Sequence, residues 1–203
     1  MGDRTAFFYG MHPAHPTILN TQLMCSLQMV PRVLYRVCYN DENADQDPVK
    51  KLLTSQLTIR PALLRDFCRH RVRGVDYPGI IPQGGHTVQG TFVTGLSDAD
   101  IFHLDVFEGS EYTRKGVKVE LSDGQQRDAE TYVYTAGDES LEKREWDFEE
   151  FCREKLHRWV DDSDEYREVD EAVALGGNDP TGGRGVRKES SKSGEGEVLK
   201  SAV

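Results

Sequence analysis

The chain has 203 residues, enough for one domain of ordinary size with length to spare; 37 % are hydrophobic and 30 % charged. That balance describes a globular core carrying polar appendages. The net charge of -10 argues against nucleic acid or an anionic membrane surface as a partner, since both attract basic faces, and no run of roughly 18 apolar residues is present to span a bilayer.

Met1–Gly10 lacks a basic segment followed by a longer apolar one, so no signal peptide is expected, and Ala6 stands where a myristoylation signal prefers Ser or Thr. The expected compartment is the cytosol, with the nucleus still open. Thr5–Tyr9 is a β-prone run stopped by Gly10 and predicts an N-terminal strand. Residues 11–28, with His12-Pro13 and His15-Pro16, read as irregular. From Val30 the spacing of Val33, Leu34, Val37 and Cys38 predicts a helix. After the acidic loop Asn40–Asp47, Asp47-Pro48 reads as a cap followed by Pro at the first helical position, leading into Val49, Leu52 and Leu53.

Ala62–Val72 and Gly90–Val93 predict strands separated by a turn-rich stretch, Asp76–Gly85. Within it, Tyr77-Pro78-Gly79 fits a type II turn with Pro at the second position and Gly at the third. Ser97-Asp98-Ala99-Asp100 opens a helix that should end near Gly109, a natural left-handed closing residue. Tyr112–Leu121 and Arg127–Thr135 are β-prone runs joined by Ser122-Asp123-Gly124, a hairpin signal. Asp147 and Glu150 form a capping box, flanked by a Trp146–Phe151 staple, for a helix whose apolar face runs to Val160. The acidic stretch Asp161–Glu171 reads as a solvated helix end. We therefore expect a domain over residues 1–172 and a disordered Gly/Ser/Lys/Glu-rich tail over 173–203. The mixed order of strands and helices gives the fold class α+β, a small, mainly antiparallel sheet or barrel with flanking helices.

Motifs for other chemistries fail. Cys25, Cys38, Cys68 and Cys152 contain no C-x-x-C pair, which argues against a zinc ribbon, a redox dithiol or a secreted disulfide framework. His12 and His15 are spaced as on a helix, but the prolines beside them oppose one and no third ligand is evident. Gly84-Gly85 is not followed by Gly-Lys-Ser/Thr, so it makes no phosphate loop. No cofactor and no metal are expected.

Three stretches carry a resemblance. Phe7-Phe8-Tyr9-Gly10 is similar to a strand ending in Tyr-Gly-Thr-Leu, and Tyr77-Pro78-Gly79-Ile80 to a Tyr-Pro-(Ala/Gly)-Ile turn. Leu104-Asp105-Val106-Phe107-Glu108-Gly109, followed by Tyr112 and Arg114, is similar to a Leu-Asp-x-x-Glu segment with Tyr-x-Arg shortly after. Together they resemble the γ-glutamylcyclotransferase-like superfamily in its avirulence-induced-gene-like branch, and Ala129–Tyr134 is similar to that family's late strand. Met11–Gln28 departs from the pattern, because the family passes directly from Tyr-Gly to a helix like Val30–Leu34; the segment reads as an insertion in the substrate loop.

The resemblance implies a cyclotransferase acting on a small-molecule γ-glutamyl substrate, with Glu108 as general acid/base. It further implies that Tyr9, Gly10, Tyr77, Pro78, Gly79 and Tyr112 bind substrate, the backbone near Gly10 supplying oxyanion donors. On helix position alone Glu108 is a solvated helix-end carboxylate, and Tyr112 a core aromatic on a strand. As that helix end disfavours negative charge and Phe107 adjoins it, a raised pKa is expected for Glu108. The competing expectation is a non-catalytic small-molecule or partner-binding module of the same fold, inactivated by residues 11–28.

Overall fold

A ribbon of two long strands organises the chain: β2 (Thr58–Val72) and β3 (Pro78–Leu96). The structure, a computed structural model, describes residues 2–9, 22–75, 77–147, 170, 171, 173 and 174. The other strands are β1 (Arg4–Phe8), β4 (Tyr112–Leu121), β5 (Gln126–Tyr134) and β6 (Leu141–Glu145); the helices are α1 (Gln22–Tyr39), α2 (Lys51–Thr54) and α3 (Asp98–Glu108). β1 pairs antiparallel with β3 and parallel with β5, β5 with β4, β4 with β2, and β2 back with β3. Five strands thus close into a ring, which removes their free edges, and β6 adds to the far end of β2. This is the α+β barrel expected from the sequence.

Side-chain alternation divides the core in two. Phe7, Leu64, Ile80, Val88, Phe92, Val119 and Val133 belong to a cluster drawn from the strands, which fills the ring. Ala6, Val93, Leu96 and Tyr132 belong to the second, where the outer wall meets Leu34 and Val37 of α1 and Ile101, Leu104 and Phe107 of α3. Each fully buried aliphatic side chain contributes roughly 1.5–3 kcal/mol. The parallel β1–β5 seam is brief, and two hydroxyls extend it: Thr131 Oγ1 donates to the Phe7 carbonyl at 2.8 Å, and Thr5 Oγ1 to the Asp128 carbonyl at 3.0 Å.

Several expectations change. The turn-rich stretch is mostly strand, because Pro78–Pro82 pair with Phe67–Arg71 of β2. Tyr77-Pro78-Gly79 is consequently no type II turn: Pro78 and Gly79 pair with Arg71 and His70, and Gly79 is not among the glycines of positive φ. The irregularity is confined to Gln83–His86, which steps out of the ladder opposite Asp66. Asp66 has φ 61°, and its carboxylate accepts from the Gly85 N–H at 3.1 Å. The first helix begins at Gln22 rather than Val30 and runs through Pro31, so residues 22–28 are helical instead of irregular. β6 carries no strand signal of its own, and pairing with β2 makes it one. The Asp47 cap is present, accepting from Val49 and Lys50 N–H at 2.8 and 2.9 Å, but the helix after it spans only Lys51–Thr54.

The helix expected after Asp147 and most of the expected tail lie outside the described residues. Asp170, from the acidic stretch read as solvated, is half-buried and forms a two-pronged pair with Arg36 of α1 at 3.0 and 2.7 Å.

Gly90 sits where β1 crosses β3 most closely. A Cβ there would lie 2.3 Å from the Phe8 carbonyl oxygen and 2.5 Å from the Phe7 ring. Gly90→Ala should therefore destabilise the protein by about 3 kcal/mol, the upper end of overpacking costs, measured by urea unfolding. An unchanged midpoint would show that the β1–β3 contact is loose.

Candidate active site at the end of helix α3

Helix α3 is fixed at both ends. Ser97 Oγ accepts from Asp100 N–H at 3.2 Å, the serine cap expected of this sequence, and the Asp100 carboxylate accepts in return from Ser97 N–H at 2.7 Å, completing a capping box. Gly109, at φ 68°, closes the helix, and its N–H donates to the Asp105 carbonyl. A single 3₁₀ turn, Gly109–Glu111, then leads directly into β4. Glu108 therefore lies half-buried at the corner between helix and barrel, beside the buried ring of Phe107.

One turn earlier, Asp105 is held from two sides. Its Oδ1 accepts from Tyr132 Oη at 2.8 Å and from Arg114 Nε at 3.0 Å. Arg114 Nη1 also reaches Glu130 Oε1 at 2.7 Å. The network joins α3, β4 and β5. Burial, the hydrogen bond to Asp105, and the charges of Asp105 and then Glu108 all push the Tyr132 hydroxyl above its usual tyrosine pKa. Tyr132 is thus a neutral donor, in electrostatic reach of Glu108.

The segment Tyr77-Pro78-Gly79 packs against the start of β4. Tyr112 Oη donates to the Pro78 carbonyl at 3.2 Å, Tyr77 Oη lies 3.5 Å from Glu111 Oε2, and the Tyr112 and Tyr134 rings meet edge-on at 5.4 Å. Gly79 is required by proximity rather than by turn geometry, since a Cβ would stand 2.7 Å from Tyr134 Cβ. All four expected residues here are buried, so they form a wall more than an open surface.

Tyr9 is placed differently. Its ring belongs to the cluster inside the barrel, whereas Tyr77 and Tyr112 belong to the helix-facing one. Its carbonyl accepts from Arg69 Nη1 at 3.1 Å. Gly10 lies outside the described residues. The structure therefore brings Tyr77, Pro78, Gly79 and Tyr112 together at the barrel end of α3 and keeps the Tyr9 ring apart from them. Sequence reasoning gave no role to Asp105, Arg114 or Tyr132; the Leu-Asp-x-x-Glu and Tyr-x-Arg patterns contained the first two without indicating that they pair. Among the described residues, one trio is spaced to hold a metal, Cys68, His86 and Glu145, and it does not include Glu108. An open trough of about 390 Å³ over β1, β5 and β4, lined by Thr5 and residues 116–118 and 128–130, does not include it either. Its shallow form suits a surface groove rather than a reaction chamber.

Known proteins resemble this chain in sequence and in fold. A model of the family "Gamma-glutamyl cyclotransferase, AIG2-like" matches residues 42–148, just over half of the chain, and so spans Tyr77–Gly79, Glu108 and Tyr112 but not Tyr9. The chain is 34 % identical to Protein AIG2 B of Arabidopsis thaliana over 126 residues, covering 61 % of this chain and 75 % of that protein. To Protein AIG2 C of the same plant it is 38 % identical over 92 residues, covering 45 % and 56 %. The fold is similar to a solution structure of an Arabidopsis thaliana protein, with a TM-score of 0.51 at 23 % identity over 100 % of this chain and 97 % of that one. No helix among the described residues is long and apolar enough to cross a membrane.

Because the pKa of Tyr132 is raised on folding, its contribution to stability is complete below the ordinary tyrosine value of 10.0 and is lost as pH rises above it. Tyr132→Phe should remove that part of the alkaline loss. Between pH 10 and 11 the unfolding free energy of the variant should fall less steeply, by up to ~1.4 kcal/mol per pH unit. Parallel curves for the two proteins would mean that the hydroxyl titrates normally.

Proposed function

The chain belongs to the gamma-glutamyl cyclotransferase, AIG2-like family, and on that premise we propose that it is a γ-glutamylcyclotransferase with Glu108 as general acid/base. The reaction is an intramolecular acyl transfer. The α-amine of a γ-glutamyl group attacks its own side-chain carbonyl, a C–N bond closes the five-membered ring of 5-oxoproline, and the bond to the departing amine breaks. An α-ammonium has a pKa of roughly 8, so a base must take its proton before attack. The same carboxyl group returns that proton to the leaving amine, so atoms and charge balance without a second catalyst.

The observation that carries this reading is the position of Glu108, half-buried beside Phe107 on a turn fastened to the barrel. Asp105 is committed to Arg114 and Tyr132, which pin the last turn of α3 to the barrel. Glu108 follows on that pinned turn, half-buried, and the proton-carrying role falls to it. Tyr77, Pro78, Gly79 and Tyr112 are assigned to the wall of the substrate cavity, a role their mutual packing supports. Tyr9 and Gly10 contribute through their backbone, the N–H groups near Gly10 receiving the oxyanion of the tetrahedral intermediate; the inward Tyr9 ring leaves its main chain as the part available for this. The substrates are small, soluble γ-glutamyl amines or peptides, met in the cytosol.

The test is 5-oxoproline release from a panel of γ-glutamyl amines and dipeptides, with wild type and Glu108→Gln side by side. Wild type should turn over at least one of them, and the variant should lose at least about 100-fold in kcat with an unchanged melting temperature. A variant that keeps its rate removes Glu108 from the chemistry. Silence from folded wild type across the panel would instead favour the binding-module reading.

A further inference from the structure

Away from Glu108, three side chains from three strands meet at the far end of the ribbon. Cys68 lies on β2, His86 ends the excursion of β3, and Glu145 lies on β6. One ligand atom of each falls within 4.8 Å of the other two. Far apart in sequence, they form no motif; the folding of β6 and the Gln83–His86 excursion onto β2 brings them together.

We propose that Cys68, His86 and Glu145 form a binding site for a zinc-class divalent cation, independent of the γ-glutamyl chemistry. Thiolate, imidazole and carboxylate are each zinc ligands, and three protein ligands leave a fourth, tetrahedral position for water. Zinc bonds of about 2.0–2.3 Å place tetrahedral donors roughly 3.3–3.6 Å apart, so the trio need close by at most about 1.5 Å. His86 and Glu145 are exposed and free to make that movement, while Cys68 is buried and fixed.

Gln83 bridges two histidines: its carbonyl meets His70 Nε2 at 2.9 Å and its amide nitrogen meets His86 Nε2 at 2.9 Å. For His86 to hold a cation through Nδ1, its Nε2–H must donate to the Gln83 side-chain oxygen, with the amide turned over, which leaves the Nδ1 lone pair for the metal. Arg69 works against the site, but it points to the opposite face of β2, toward the Tyr9 carbonyl. A thiolate and a carboxylate outweigh its single charge. On binding, the thiol releases its proton to solvent and the metal–sulfur bond forms. β6 is joined to β2 through only a short, irregular ladder, so the cation fastens this edge.

The test uses the full chain, reduced and stripped with chelator, then titrated with Co²⁺ and separately with Zn²⁺. One equivalent of Co²⁺ should produce a thiolate-to-cobalt charge-transfer band, and Zn²⁺ should displace it and raise the melting temperature. Cys68→Ser and exposed His86→Ala should abolish the band, and Glu145→Gln should weaken binding at least about 10-fold. Cys25→Ser and Cys152→Ser should leave it intact. No band in wild type, or a band that survives Cys68→Ser or His86→Ala, overturns the proposal. His86→Ala is decisive here, because an exposed side chain can be removed without unfolding the barrel.

Discussion

The length of β2 is the constraint from which the rest of the molecule follows. A 15-residue strand cannot stay flat; its right-handed twist turns it past successive neighbours. β3 follows it from Thr58 to Arg71, β4 takes up Ala62–Leu64, and β6 takes up His70 and Val72. The ring needs only one short parallel contact, β1 to β5, to close. Remove Ala62–Leu64 from the ladder and the hairpin of β4 and β5 keeps its attachment to the ribbon only through β1.

Closure decides where the candidate site can be. Helix α3 leaves β3 at Leu96 and must reach β4 at Tyr112, so its C-terminal end is delivered to the rim beside the start of β4. A helix end is an awkward place for two carboxylates, because the macrodipole there is negative. Arg114 meets that cost by spanning Asp105 and Glu130. Both pairs are partly exposed, so their worth lies in orientation more than in stability. The buried Tyr132 hydroxyl adds a donor that stays protonated. Rigid placement of this turn is what any proton-transfer role for Glu108 requires, because general acid–base catalysis is limited first by geometry.

Much of this was legible in the sequence wherever a local rule decided the outcome. The Ser97 cap and the Gly109 stop depend on neighbouring residues, and both ends of α3 follow from them. The β4–β5 hairpin follows from Asp123-Gly124, with Gly124 at φ 78°. Pairing between distant segments was not legible. Residues 78–82 carry Pro and Gly and read as turn, yet β2 presents a complete ladder and they join it. Gly79 shows the same failure from another side: its value lies in the space taken by Tyr134, more than fifty positions along the chain. Asp105 and Arg114 stood in view within a recognisable pattern, but that they bond to each other through space is a property of the barrel rim.

Arg69 ties these levels together. It is buried on β2, lies 5.7 Å from the centre of the Trp146 ring, and donates to the Tyr9 carbonyl; burial lowers its pKa, while the charges of Glu145, Cys68 and Asp147 raise it. A guanidinium keeps its proton even so, which makes it a suitable cation for so enclosed a position. Its Nε has no hydrogen-bond partner among the described residues, a cost set against those contacts. What the guanidinium achieves is to fasten Tyr9, the residue after β1, to the far part of the ribbon beside Trp146. The main chain on which the proposed oxyanion donors depend therefore leaves the barrel from a fixed point.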